Sequence, residues 1–277
     1  MQDDRSFKKG KRRGMYTVGV DIGSSSSKVV ILKDGTEIVS QSAIQSGIGS
    51  NRAIVALEDN LKKANLTKED IGFTVVTGYG RFTFEGADKQ ISEISCHARG
   101  IHFLLPDVRT IIDIGGQDAK AISLDEKGHV RQFFMNDKCA AGTGRFLTVM
   151  ARVLEISLDE MGTYDALSKN PCNISSTCAV FAESEVISQL AKGNTKEDVI
   201  AGVHNSVAHK ILGLVYRTSM EEKFAICGGV ARNTGALRAI REALKKEVIV
   251  APNPQLTGAL GAAIFAYDEL KKLRKGE

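Results

Sequence analysis

The sequence predicts an α/β protein built of two similar halves that close around a cleft. Three observations carry that expectation. β-Rich apolar runs alternate with amphipathic helical segments along the chain. The tripeptide Asp-Ile-Gly occurs at 21–23 and again at 113–115, and each time a lysine follows the aspartate by seven residues, Lys28 and Lys120. Each copy then continues into a second β-rich strand and a charged glycine turn, Asp34-Gly35 and Glu126-Lys127-Gly128. Two copies of one hairpin at this long period indicate two related subdomains facing each other, not a solenoid.

The elements follow in order. Residues 15–32 read as strand, Gly/Ser turn and strand, hence a hairpin, with a third strand at 37–42. Helical spacing of Ile54, Val55, Leu57 and Leu61 predicts a helix over 51–64. A short strand at 73–77 ends in Gly78-Tyr79-Gly80-Arg81, and a helix over 91–105 is stopped by Pro106. The second hairpin spans 110–124, and 130–135 is a strand. Helices are predicted at 142–154, with Phe146, Leu147, Met150 and Val153 on one side, and at 181–190 and 198–216. A buried strand at 224–227 ends at Gly228-Gly229, followed by a helix at 235–246, a strand at 248–250 and a last helix at 256–273. The expected organisation is a first half at 15–109, a second half at 110–254 carrying two of the cysteines, and a C-terminal helix within 255–277 that returns to the first half.

Composition bounds the function. The chain has 277 residues, 43% hydrophobic and 25% charged, enough to bury a core without disulfide staples. No apolar run approaches the ~18 residues of a membrane span and no signal peptide is visible, so a cytoplasmic protein with no membrane partner is expected. The formal charge is +4, and residues 1–14 account for it with six bases against two acids. The body from Met15 holds 31 bases and 31 acids. The basic segment reads as a disordered, vector-derived leader, and the neutral body removes the case for a nucleic-acid partner. Five cysteines in a chain without a secretion signal point to buried thiols or metal ligands, not to a disulfide framework.

The first hairpin tip, Asp21-Ile22-Gly23-Ser24-Ser25-Ser26-Ser27-Lys28, is rich in residues that let backbone N–H groups approach an anion, and Lys28 adds a cation. Asp21, at the strand end, is placed to hold Mg²⁺ through water. In the second copy, Gly115 and Gly116 repeat the small-residue tip, and Gln117 and Asp118 are candidates to position water and Mg²⁺ for hydrolysis. A third segment, Cys227-Gly228-Gly229-Val230-Ala231-Arg232-Asn233, follows a strand and precedes a helix. Its glycines permit a flat base or ribose against the backbone, with Arg232 or Asn233 packing on it. Gln255, before the small-residue helix, is a further nucleotide contact. There is no GxxxxGK[ST] and no GxGxxG at a strand–helix junction, so neither a P-loop nor a Rossmann site is expected. The three segments in this order resemble the nucleotide motifs of the actin, Hsp70 and sugar-kinase superfamily. The resemblance implies its ribonuclease H-like duplicated fold, with ATP or ADP bound between the halves.

Two cysteines stand before helices: Cys139 in NDKCAAGTGRF and Cys178 in SSTCAVFAESE. A thiolate there is stabilised by the helix dipole and is a nucleophile or a metal ligand; buried thiols remain the plain alternative. The absence of CxxC spacing excludes zinc-finger and ferredoxin patterns.

With IIDIGGQD, NDKCAAGTGRF, SSTCAVFAESEVIS and GGVARN in one chain, the body resembles the activators of 2-hydroxyacyl-CoA dehydratases, relatives of the ATPase subunits of benzoyl-CoA reductase. The resemblance covers residues 15–270. It implies an ATPase whose homodimer shares one 4Fe–4S cluster, held by Cys139 and Cys178 of each copy. It further implies a ferredoxin or flavodoxin as electron donor and an anaerobic, amino-acid-fermenting setting. One electron passed to the dehydratase would make a substrate ketyl radical. Cys172 is the rival ligand, whereas Cys96 and Cys227 read as structural. The five histidines form no metal-binding or catalytic pattern, and Glu183 and Glu185 fit a docking surface or a solvated helix face equally well. The competing function is a small-molecule kinase of the same superfamily, which leaves NDKCAAGTGRF without a purpose.

Overall fold

The computed structural model describes residues 14–45, 51–175 and 178–275. The leader up to residue 13 and Ser176 and Thr177 of the second cysteine motif lie outside the described residues. The strands are β1 (Tyr16–Ile22), β2 (Ser26–Lys33), β3 (Glu37–Gln45), β4 (Ile71–Thr77) and β5 (Lys89–Gln90), then β6 (Thr110–Ile114), β7 (Ala119–Leu124), β8 (Val130–Asn136), β9 (Phe224–Cys227) and β10 (Val248–Val250). The helices are α1 (Arg52–Lys63), α2 (Glu93–Leu104), α3 (Gly144–Val153), α4 (Met161–Leu167), α5 (Ala179–Ala191), α6 (Lys196–Val215), α7 (Thr234–Leu244) and α8 (Thr257–Lys275).

Two five-stranded sheets result, with orders β3-β2-β1-β4-β5 and β10-β9-β6-β7-β8. Read outward from the hairpins, the second sheet repeats the first strand for strand. Even the register is shared: Asp21 pairs with Lys28 across β1–β2, and Asp113 with Lys120 across β6–β7. The seven-residue spacing seen in the sequence is the distance that sets these residues opposite each other in an antiparallel pair.

Both faces of each sheet are covered, which is why the hairpin strands are nearly continuously apolar. The pleat sends Val29 and Ile31 toward Ala53, Ala56 and Leu61 of α1, and Val30 and Leu32 toward Ala259, Leu260 and Ala263 of α8. In the second sheet Ile112 and Ile114 face α3, α6 and α7, while Ile111 and Ile122 face Ile94, Ala98 and Ile101 of α2.

The chain thus crosses over twice. Helix α2 leaves the first sheet and covers the second; α8 leaves the second sheet and covers the first, packing on β1 and β4. The two helices lie against each other, and Gly261 of α8 meets the backbone of Cys96 and Gly100 so closely that a Cβ there would run into the Cys96 carbonyl. That contact ties the halves together beneath the cleft.

Local chemistry explains where element ends differ from the expected ones. Helix α3 starts at 144, not 142, because Thr143 is extended. Helix α5 starts at 179 with Cys178 as its N-cap. Helix α7 stops at 244 because Lys245 turns left-handed, with φ 54°. The seven-residue α4 and two-residue β5 are too short for any periodicity to show in sequence.

Candidate nucleotide cleft and cysteine site

A cavity of about 770 Å³ opens between the two halves. Both hairpin tips line it: Asp21, Ser24, Ser25, Ser26 and Lys28 from the first, and Gly115, Gly116 and Asp118 from the second. The tips come together, with the Cα of Gly116 facing the hydroxyls of Ser24 and Ser25. The third segment lines the opposite wall through Gly228, Gly229, Arg232 and Asn233, beside Gln255. Two expected residues lie elsewhere: Ser27 is buried in β2 and Gln117 is exposed, and neither lines the cavity.

The turn at the third segment needs glycine. Gly228 has φ 85°, and a Cβ would strike the carbonyl of Ile114. Asn233 caps α7 by accepting a hydrogen bond from Ala236 N at 2.9 Å. Its buried Nδ2 has no hydrogen-bond partner among the described residues, leaving a donor ready for an acceptor atom of a ligand.

The two hairpin lysines differ in surroundings. Lys28 meets one carboxylate, Asp21, at 3.1 Å, and its side chain is 14% exposed. The Lys120 side chain is 2% exposed and meets three: Asp113 at 3.1 Å, Glu93 at 3.2 Å, and Asp118 in a shorter contact. Burial disfavours the Lys120 ammonium, but the three carboxylates outweigh it and hold its pKa well above the usual value. Burial likewise opposes ionisation of Asp113, yet His97 and Lys120 keep its carboxyl below the usual range. Burial raises the pKa of Glu93, with Asp118 adding to the effect and Lys120 opposing it. Burial and the nearby Asp118 and Glu93 push the Tyr79 phenol up to about 12, so it stays a neutral donor at the cleft wall.

Asp113 and Lys120 were legible as partners of Asp21 and Lys28 in the duplication. Glu93, His97 and Tyr79 were not marked by any motif as cleft residues. They reach the cavity because α2 and the loop after β4 end there.

Cys139 sits in the loop before α3. Asn136 Nδ2 donates to the carbonyls of Cys139 at 2.9 Å and Ala141 at 3.0 Å, and Thr143 Oγ1 donates to Ala140 O at 2.6 Å. This loop is joined to the cleft: Gly144 N donates to Gly115 O at 2.9 Å and Arg145 N to Gly116 O at 2.8 Å. Cys178 is exposed at the start of α5, followed by Val180 and Phe181, each 69% exposed. Helix α5 packs against α3.

Both thiols are unpaired soft donors. Among the described residues, neither joins two further His, Cys, Asp or Glu ligands within the chain. Two thiols are half of the four that a 4Fe–4S cluster usually takes, so the donor set fits such a cluster if a second copy supplies the rest. The other cysteines differ. Burial lifts Cys96 to about 12 and Cys227 well above its usual value, and both pack in the core. Burial also raises the half-buried Cys172. Cys227, His97 and Asp113 do lie within 4.8 Å of one another. The Lys120 ammonium already neutralises Asp113 there, so the trio is a packed polar network.

Comparison with known proteins agrees with this geometry. The model of the BadF/BadG/BcrA/BcrD ATPase family matches residues 18–266. An activator of lactoyl-CoA dehydratase from Anaerotignum propionicum is 61% identical, over 93% of this chain and 100% of its own. The solved activator of the 2-hydroxyisocaproyl-CoA dehydratase from Clostridium difficile with bound ADPNP is 53% identical and superposes with a TM-score of 0.91, over 95% of this chain and 98% of that one. A ROK family glucokinase from Streptomyces griseus, solved with glucose and AMPPNP, shares the fold at a TM-score of 0.57 and 12% identity, over 91% of this chain and 99% of that one.

Proposed function

The chain belongs to the BadF/BadG/BcrA/BcrD ATPase family, and from that premise we propose that it is an ATP-dependent activator of a 2-hydroxyacyl-CoA dehydratase. ATP lies between the halves. The hairpin tips at Ser24–Ser26 and Gly115–Gly116 offer backbone N–H groups to its phosphates, Lys28 adds positive charge, and the Gly228–Gly229 turn, Arg232, Asn233 and Gln255 receive the nucleoside. The buried carboxylate of Asp21 is a hard oxygen donor that fits Mg²⁺ held through water. Bound Mg²⁺ supplies charge neutralisation to the phosphates.

The observation that carries the reading is the pair of hydrogen bonds from Gly144 and Arg145 to Gly115 and Gly116. A shift of the second tip on nucleotide binding or hydrolysis pulls on the start of α3, hence on the Cys139 loop, and through α3 on α5 and Cys178. Nucleotide thereby acts as a ligand that prefers one arrangement of the cysteine site.

Cys139 and Cys178 of two copies would hold one 4Fe–4S cluster across a two-fold axis. When bound there, such a cluster would supply one low-potential electron, with ferredoxin or flavodoxin as donor and the dehydratase as acceptor. The kinase alternative rests on a likeness that carries the fold alone, and it leaves both cysteine loops unused.

The test is anaerobic purification with iron analysis and sizing. A brown dimer with about four iron atoms that activates a dehydratase with ATP and a low-potential reductant is expected. A colourless monomer that consumes ATP only in the presence of a sugar would refute the proposal.

A further inference from the structure

We propose that Glu93 is the general base of ATP hydrolysis in this protein, an inference that rests on the ATPase reading above. Four carboxylates stand where the two hairpins meet the cleft: Asp21, Asp113, Asp118 and Glu93. The three other than Glu93 have more deeply buried side chains: Asp21 is 6%, Asp113 4% and Asp118 7% exposed. Asp21 is paired with Lys28 through Oδ2, and its Oδ1 lies against Gly78. Asp113 gives Oδ2 to Lys120 and His97 and Oδ1 to the Cys227 thiol at 3.6 Å. Asp118 gives Oδ2 to Lys120, while its Oδ1 is packed against Gly115.

Glu93 differs. Its Oε1 meets Lys120 at 3.2 Å, and Oε2 receives no hydrogen bond from the described residues. Its side chain is 16% exposed, the most open of the four, and lines the cavity. Its position is rigid. It is the first residue of α2, whose cap Ser92 accepts from Ser95 N at 3.3 Å, and the next residue, Ile94, is anchored in the core beneath the second sheet. A carboxylate held through one oxygen by an ammonium, on a side chain that lines the cleft, is the arrangement a proton acceptor needs.

The surroundings tune it in the same direction. Burial, Asp118 and Asp113 favour the proton on Glu93, whereas Lys120 and His97 oppose it. The result is a stronger base than an ordinary surface carboxylate. Tyr79, on the loop after β4, contributes a protonated phenol to the same corner.

The step balances without any further reagent. The water oxygen forms a bond to the terminal phosphorus as its proton passes to Glu93 Oε2. The bond from that phosphorus to the bridging oxygen breaks, and its electron pair leaves with ADP. The proton returns to solvent as inorganic phosphate departs.

The test uses the full chain with Mg²⁺ and ATP, comparing wild type, Glu93→Gln and Asp118→Asn. Nucleotide affinity, turnover and the pH profile of turnover are read separately. Glu93→Gln preserves the shape and the contact to Lys120. It is expected to bind ATP within about threefold of wild type and to turn it over at least about 100-fold more slowly. The acid limb of the wild-type profile, where Glu93 becomes protonated, should vanish in the residual activity. Turnover within threefold of wild type, a retained acid limb, or a loss confined to ATP affinity overturns the assignment. So does a larger turnover loss in Asp118→Asn than in Glu93→Gln. If wild type neither binds nor hydrolyses ATP, the ATPase reading falls first and takes this inference with it; if only the Glu93 result fails, the ATPase reading stands.

Discussion

Replacing Lys120 by methionine removes the one ammonium among three carboxylates while keeping the length and apolar stem of the side chain. In the wild type Lys120 meets Asp113, Asp118 and Glu93, in a site where its own side chain is 2% exposed. Taking away one partner of a buried ion pair leaves uncompensated charge and typically costs about 3–5 kcal/mol. That is a large part of the ~5–15 kcal/mol by which domains are stable. Lys28→Met is the internal comparison: it also breaks a buried pair, but Lys28 serves one carboxylate where Lys120 serves three, so its loss should cost clearly less. The sign of the pH dependence is also set. Without Lys120 the carboxyls bind protons more tightly in the folded state than in the unfolded chain. Stability of the variant then falls as pH rises through the carboxylate range, and its deficit shrinks on acidification. Equilibrium urea unfolding of both variants at pH 7 and pH 5 measures this. A Lys120→Met protein within about 1 kcal/mol of wild type at pH 7, or a deficit that does not shrink at pH 5, would show that the network is not electrostatically compensated by Lys120.

Other outcomes follow from the same geometry. Gly261→Ala drives a methyl into the Cys96 carbonyl and should destabilise by about 1–3 kcal/mol or more, read by urea unfolding, with weaker ATP binding because α2 and α8 join the halves. Burial opposes ionisation of Asp165, but hydrogen bonds from His204 (2.8 Å) and Arg238 (2.7 Å) hold its pKa down to about 2. Its contribution, about 2 kcal/mol, is present above the usual 3.8 and lost as pH falls toward 2. Asp165→Asn should therefore flatten the acid limb of the stability profile. Gly228→Ala, at φ 85°, should lower nucleotide affinity in a binding titration, because a turn that lines the cleft must rearrange. Cys178→Ser and Cys139→Ser should each abolish iron binding in anaerobic preparations while ATP titration stays near wild type; retained iron would point to Cys172.

Much of the site was written in local spacing. Seven residues from Asp21 to Lys28 and from Asp113 to Lys120 give the same antiparallel register in both hairpins, and a strand followed by Gly228-Gly229 and a helix gives the third wall of the cleft. The segments around Cys139 and Cys178 were also readable as cysteines before helices. Local spacing did not reveal which turn residues face inward: Ser24, Ser25 and Ser26 do, while Ser27 enters the core and Gln117 faces outward.

The sequence by itself determined the duplication, the strand partners within each hairpin and the three segments that line the cleft, because those depend on neighbours a few residues apart. The last helix was already expected on the first half, but only the tertiary structure decided that α2 covers the second sheet in exchange. From that exchange come the burial of Lys120, the gathering of three carboxylates about it and the delivery of Glu93 to the cleft. Lys28 and Lys120 occupy equivalent positions in sequence and strand register, yet one serves a single carboxylate and the other neutralises a buried cluster. The difference arises from chain segments far away in sequence, and desolvation and charge depend on what those segments bring near, which no local pattern records.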